Sequence, residues 1–247
     1  MSRHPAPTGK IFVALWTADA DTEIDEPPVD SSPARRVGGE AKHGATNDVA
    51  DPHLSPSSRA MPRLLGITVS TRPERKGPAV AEWFLGIARG HDGFEIDHVD
   101  LADLDLPLLD EPKHPRLKQY ENEHTRTWSM TVDAADAVVF VAPEYNSGPA
   151  PTLVNALNFL YQEWNFKPAS FVSYGGISGG TRGVQLTKPI LLTLKMEPIV
   201  EAVVLPFFAK QIGDDGTFSG TDSNERAARS MLSELARWAE ALRAMRE

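Results

Sequence analysis

The chain has 247 residues, of which 41% are hydrophobic and 24% charged, and its formal net charge is −9. This composition can bury a core, but the acidic balance argues against a nucleic-acid partner or a surface held on anionic lipid. The absence of cysteine excludes disulfides, thiolate nucleophiles and Cys-ligated metals, and it suits a reducing cytoplasm. No apolar run approaches the ~20 residues that a membrane-spanning helix needs.

The first quarter of the chain differs from the rest. Residues 1–62 hold 8 of the 20 prolines, and residues 30–59 show no apolar periodicity. Such composition buries too little apolar surface to offset the entropy of ordering, so we predict a disordered extension. The short apolar segment 11–16 is followed by an acidic run, which argues against a signal peptide. Met61 stands directly before the first convincing strand, which raises the hypothesis that the functional protein starts there.

From Met61 onward, strand patterns alternate with helix patterns. Short apolar runs are typical of strands covered on both faces, whereas the alternating segment 94–101 predicts an edge strand. The predicted strands span 64–69, 94–101, 137–142, 169–174 and 199–205, and the predicted helices span 79–88, 117–135, 149–164, 181–196 and 224–246. The second helix is expected to turn Trp128, Met130 and Val132 inward. This alternation predicts one α/β domain over residues 63–247, with a doubly wound parallel sheet of strand order 2-1-3-4-5.

In that strand order, the carboxyl ends of strands one, three and four lie together, where a mononucleotide can bind. The loop after strand one, residues 70–77, precedes a helix whose free amides favour an anion. Ser70 and Thr71 add hydroxyls, and Arg72 can grip a phosphate with two hydrogen bonds. An ordinary helix entry with exposed charges fits this loop equally well.

The other two loops are also polar. Residues 144–147 offer a carboxylate, an aromatic ring, an amide and a hydroxyl, and Tyr145 can flank a planar ring. A plain turn, in which Asn146 tolerates left-handed angles, is the alternative. Residues 175–180 include four glycines, which let backbone amides approach a ligand closely.

Together, three segments resemble the NADPH-dependent FMN reductase family of flavodoxin-like proteins, which includes quinone, azo-dye and chromate reductases. They are STRP (70–73), PEYNSGPAPTLVNALNFL (143–160) and GGISGGTRGVQL (175–186). The resemblance covers residues 61–247 and implies a flavodoxin-like fold preceded by the extension.

The resemblance also implies a set of cofactor-binding residues. The first loop would hold the FMN phosphate, the second would border the isoalloxazine ring, and the third would line its pyrimidine side. The residues are Ser70, Arg72, Lys76 and Gly77; Pro143, Glu144, Tyr145 and Asn146; and Tyr174, Gly175, Gly176 and Ser178. The family often has Ser or Thr three residues past the Arg, whereas this chain has Arg75, so Arg75 or Lys76 is expected to substitute electrostatically.

We therefore predict an NAD(P)H-dependent reductase in which FMN carries the chemistry, with no catalytic side chain and no metal. NADPH or NADH would deliver a hydride and leave, and a quinone, azo compound or free flavin would then take two electrons in a ping-pong cycle. Backbone amides at Gly175 and Gly176 would stabilise negative charge near flavin N1 and O2. A flavodoxin-type electron carrier and a non-enzymatic regulator on the same fold are the alternatives.

The family resemblance further implies a cytoplasmic homodimer or homotetramer. The candidate interface residues are Leu108, Trp128, Phe159 and Trp164. The alternative is that these side chains belong to the hydrophobic core. Histidines lie outside the three loops, and none has metal-ligand spacing.

Overall fold

The computed structural model describes residues 61–246. The predictions for residues 1–60, including the disordered extension, lie outside the described residues. Within residues 61–246, no helix is both long and apolar enough to cross a membrane.

The described chain alternates strands and helices, with four additional 3₁₀ turns. The strands are β1 (Arg63–Thr68), β2 (Glu95–Asp100), β3 (Ala137–Tyr145), β4 (Gly148–Pro149), β5 (Pro168–Gly175), β6 (Glu197–Pro198) and β7 (Val203–Pro206). The helices are α1 (Gly77–Arg89), α2 (Leu101–Leu104), α3 (Glu123–Asp133), α4 (Pro151–Asn158), α5 (Thr181–Thr193) and α6 (Asp222–Leu242). The 3₁₀ turns are Pro115–Leu117, Gln162–Trp164, Phe208–Gln211 and Arg243–Met245.

The strands form a parallel sheet in the order β2-β1-β3-β5, and both β6 and β7 pair with the far side of β5. Only the two-residue β4 is antiparallel, because it folds back on the end of β3. The predicted α/β class and doubly wound flavodoxin-like order are confirmed, with β6 and β7 sharing the fifth strand position. Of the predicted fifth strand, residues 199–205, only residues 203–205 lie in a strand, and the short strand β6 precedes the predicted range. Between β6 and β7 the Ser170 hydroxyl donates to the Glu201 carbonyl.

Helices cover both faces of the sheet, as a parallel sheet requires. One apolar cluster joins the sheet to α3, α4 and α5 through residues such as Trp128, Leu153 and Val184. The other joins it to α1 and α6 through Phe84 and Met231. The sheet is therefore buried from both sides.

Three of the four candidate interface residues are core residues. Trp128, Phe159 and Trp164 have no exposed surface, whereas Leu108 is 84% exposed. The expectation that Met130 turns inward is wrong, because it is 64% exposed while Trp128 and Val132 are buried. Residues four apart share a helix face, and the residue midway between them points away.

Two predicted helices are shorter than expected. The pattern over residues 117–135 predicts a helix, but α3 begins at Glu123, after a left-handed turn at Lys118. The helix predicted over residues 149–164 ends at Asn158 and is followed by a 3₁₀ turn.

A buried carboxylate ties the segment before α3 to the core. Glu163 is 1% exposed and accepts hydrogen bonds from the Tyr120 hydroxyl (3.0 and 3.1 Å) and the Ser129 hydroxyl (2.6 Å). Lys118 Nζ lies 3.7 Å from the same carboxylate. Burial together with Glu163 raises the pKa of Tyr120. These hydrogen bonds replace the water that the Glu163 carboxylate loses on burial.

We expect Glu163→Gln to lower the free energy of unfolding by about 2–3 kcal/mol, because an amide presents hydrogens to groups that themselves donate. Urea denaturation monitored by circular dichroism would measure the change. Glu123→Gln is the matched control. Its carboxylate is 81% exposed and pairs only with Arg126, so a change of at most about 0.5 kcal/mol is expected. Equal effects of the two substitutions would contradict a special role for the buried carboxylate.

Candidate active site

A cavity of about 510 Å³ opens at the carboxyl ends of β1, β3 and β5. Nine of the twelve predicted site residues line it: Ser70, Arg72, Lys76, Pro143, Glu144, Tyr145, Tyr174, Gly175 and Gly176. Gly77 lies directly behind this surface, whereas Asn146 and Ser178 do not line it. The three predicted loops therefore meet, as parallel strand ends should at a topological switch point.

One end of the cavity has two buried hydroxyls with unused hydrogen-bonding capacity. Ser70 Oγ and Tyr174 Oη are both buried, and neither makes a hydrogen bond of ordinary geometry with the described residues. Both lie against Gly77, where an added Cβ would come within 2.2 Å of Ser70 Oγ and 2.5 Å of Tyr174 Oη. Buried polar atoms are normally satisfied, so this arrangement fits a ligand that accepts hydrogen bonds.

The same end favours negative charge. Gly77 begins the 13-residue helix α1, and Pro78 follows at a position where no amide hydrogen is needed. The free amides and the dipole of this helix point towards the two hydroxyls. Burial raises the pKa of Tyr174 above that of an ordinary phenol, which is already protonated at neutral pH, so its hydroxyl is able to donate. The residues present thus fit a phosphate group.

Arg75 is occupied by an internal ion pair. Its Nη1 atom lies 2.6 and 2.8 Å from the two carboxylate oxygens of Asp100 and donates to the Ser70 carbonyl at 2.7 Å. Both side chains are largely buried, and Asp100 also caps α2 through the Ala102 amide. Arg75 therefore connects the first loop to the end of β2. The expectation that Arg75 contributes a free charge to a phosphate is not supported by this geometry.

The second loop presents Tyr145 to the cavity and turns Asn146 away. Asn146 and Ser147 have φ angles of 50° and 63°, and they join β3 to β4. Left-handed angles at both central residues are typical of a tight type I′ hairpin turn, and both side chains are exposed. Arg72 lies over the Tyr145 ring at 5.8 Å, so these two side chains form one wall.

Glu144 connects the second loop to the third. Its carboxylate accepts hydrogen bonds from the Ser178 hydroxyl (2.8 Å) and the Arg182 amide (3.0 Å), and the Gly183 amide lies at 3.4 Å. The two amides belong to the first turn of α5, where a negative charge is stabilised by the helix dipole. Ser178 therefore holds Glu144 and the glycine loop together, and it does so from outside the cavity.

A fourth wall was missed by sequence reasoning. Phe207, Phe208, Ala209 and Lys210, which follow β7, also line the cavity. The Phe207 amide donates to the Gly176 carbonyl at 2.9 Å, and the Phe208 ring packs on Tyr174 with centroids 4.7 Å apart. No local motif identifies this segment, because its place depends on how β7 pairs with β5.

The family model described as NADPH-dependent FMN reductase matches residues 62–210. The chain belongs to the NADPH-dependent FMN reductase family. The match includes all four walls of the cavity, so family membership and the site concern the same part of the chain.

Curated relatives agree with this family. An NAD(P)H-dependent FMN reductase of Schizosaccharomyces pombe is 39% identical over 170 residues, which cover 62% of this chain and 84% of the relative. A probable NADPH:quinone oxidoreductase of rice is 30% identical over 155 residues, covering 57% and 73% of the two chains. The solved structure of the flavoenzyme NAD(P)H:(acceptor) oxidoreductase FerB from Paracoccus denitrificans has a TM-score of 0.56 and 20% identity, covering 73% of this chain and 98% of FerB. At that identity the likeness supports the fold alone.

Because the hydroxyls of Ser70 and Tyr174 lie so close to Gly77, a methyl group added at this residue should lower the stability of the fold. Gly77→Ala should lower the free energy of unfolding by about 1–3 kcal/mol, because its Cβ would overlap two buried hydroxyls. Gly86→Ala, in the exposed interior of the same helix, meets nothing within 4 Å. That control should instead raise stability by about 0.5–1 kcal/mol. Thermal and urea unfolding would separate the two, and similar behaviour would show that the space around Gly77 is not restricted.

Proposed function

We propose that this protein binds FMN in the cavity and passes two electrons from NADPH or NADH to a small acceptor. The observation that carries the proposal is the pair of buried hydroxyls of Ser70 and Tyr174, which lie side by side at the amino end of α1 and have no partner of ordinary hydrogen-bond geometry within the described part of the chain. These donors and the helix amides suit the phosphate of FMN. Family membership and the curated relatives named FMN reductases and quinone oxidoreductases support the same conclusion.

The bound flavin would supply the redox chemistry, accepting a hydride from the nicotinamide and releasing two electrons to the acceptor. The protein would orient it. Arg72 and the amides of α1 would bind the phosphate, and Tyr145 and Pro143 would border the ring. Glu144 would hold the glycine loop in place through Ser178 and α5, and the Gly175–Gly176 backbone would stabilise negative charge on the pyrimidine side.

The order of the two half-reactions that we propose is ping-pong. Reductant and acceptor would occupy the same open space beside the flavin in turn, which the open cavity supports. The acceptors we propose are quinones, azo compounds and free flavin. A homodimer or homotetramer in the cytoplasm is our proposal for the assembly. The oligomeric part of this proposal is supported by the 84% exposed Leu108, whose loop is fixed by hydrogen bonds between Asn155 and the backbone of Pro107 and Leu109.

Purified protein reconstituted with FMN provides the test of function. We expect anaerobic NADPH to bleach the flavin band and a quinone to restore it. Parallel double-reciprocal plots at several quinone concentrations would support the ping-pong order, and intersecting plots would contradict it. Bound FMN without reduction by NADPH or NADH would favour the electron carrier. Failure to bind FMN at all would refute the proposal and favour a regulator that lacks the cofactor.

Arg72→Ala should weaken FMN binding by about 1–3 kcal/mol, because it removes a charge-assisted contact to phosphate. Riboflavin, which lacks the phosphate, should bind the variant as it binds the wild type. Arg89→Ala, at the other end of α1, removes an exposed arginine that pairs with Glu82 and should affect neither flavin. Titrations that follow flavin fluorescence would give both dissociation constants. Unchanged FMN affinity in Arg72→Ala would exclude the phosphate role of this residue.

A further inference from the structure

The basic residues of the cavity differ in their availability. Four basic side chains (Arg72, Arg75, Lys76 and Lys210) and two acidic ones line it, although the chain as a whole has a net charge of −9. Arg75 already forms an ion pair with Asp100. Within residues 61–246, none of the other three forms an ion pair. A basic side chain without an acidic partner remains available to a ligand anion.

Lys210 differs from Arg72 and Lys76 because it lies on a separate element. Its 3₁₀ turn follows Phe207, which has a left-handed φ of 49°. The Lys210 ammonium lies 5.3 Å from the centroid of the Phe207 ring, in the range of a cation–π contact. Phe207 is in turn fixed by its hydrogen bond to the Gly176 carbonyl. Packing and the backbone, rather than a carboxylate, therefore hold this positive charge at the cavity.

The neighbours of Lys210 place it on the anion-binding side. Phe208, two residues earlier, packs on the ring of Tyr174. The hydroxyl of that ring is one of the two unpaired donors beside Gly77. The segment that follows β7 thus closes the cavity next to the end that fits a phosphate.

We propose that Lys210 is a phosphate-recognition residue of this cavity, supplied by the edge of the sheet rather than by the first loop. Its ligand is a phosphate monoester, and the proposal rests on the proposed function. Two ligands of the reaction carry such a group: the 5′-phosphate of FMN and the 2′-phosphate of NADPH. In this arrangement Lys210 supplies a positive charge that Arg75 does not, because Arg75 is paired with Asp100.

Lys210→Gln tests the proposal, since it removes the charge and keeps most of the side-chain length. Lys195→Gln is a matched control, because Lys195 is also exposed and also lies over an aromatic ring, Phe166 at 5.5 Å, but does not line the cavity. Dissociation constants for FMN and riboflavin would be measured on the full chain by flavin fluorescence, and KM for NADPH and NADH on the reconstituted enzyme.

We expect Lys210→Gln to raise the dissociation constant of FMN about tenfold, as loss of a charged hydrogen bond does, and that of riboflavin less than about twofold. The difference in FMN affinity between the wild type and Lys210→Gln should become smaller as the salt concentration increases, since an exposed charge is screened. An increase in KM for NADPH alone, with FMN and NADH unaffected, would assign the phosphate to the dinucleotide and still support the proposal.

If the wild type binds FMN and Lys210→Gln changes none of these constants, the role of Lys210 is refuted and the proposed function stands. Equal losses for FMN and riboflavin would also refute it, because they would indicate damage to the wall rather than loss of a phosphate contact. If the wild type does not bind FMN, the proposed function fails, and this inference fails with it.

Discussion

The site depends on the close approach of the Ser70 and Tyr174 hydroxyls to Gly77 at the start of α1. These hydroxyls come from the ends of β1 and β5, which are separated by β3 in the sheet. The Tyr174 side chain must reach across the end of β3, where Pro143 is its register partner. Only a residue without a Cβ leaves room for both hydroxyls at the start of α1. Strand order, helix start and a single glycine therefore bring both hydroxyls to one place, which fits the proposed phosphate site.

Two internal carboxylate contacts hold the loops around this site. Asp100 binds Arg75 and so fixes the first loop to the end of β2. Glu144 binds the amino end of α5 and so fixes the third loop to the second. Neither contact needs a ligand, and both lie at loop ends rather than in the apolar core. A binding site that is organised before its ligand arrives loses less conformational entropy on binding.

The fourth wall shows how an edge strand extends the usual flavodoxin-like site. In the strand order, the last position lies beyond the three central strand ends, and its loop would not be expected to reach the cavity. Here β7 pairs with the carboxyl end of β5, from Val172 to Gly175, whereas β6 pairs with its beginning. Gly179 packs so closely on β7 that a Cβ would lie 2.6 Å from Val204 Cγ1. This contact brings the segment after β7 beside the glycine loop.

The sequence by itself determined the alternation of the main strands and helices, their parallel order and the three loops that meet at the cavity, although not every bound of these elements. These follow from apolar periodicity and from Gly and Pro, which act locally. Only the tertiary structure decided that Arg75 is paired, that Asn146 forms a turn away from the cavity, and that Lys210 lies in its wall. It also decided that Trp128 and Trp164 are core residues. The reason is physical: the partner of a side chain depends on residues far along the chain and on strand register, which a local pattern does not contain.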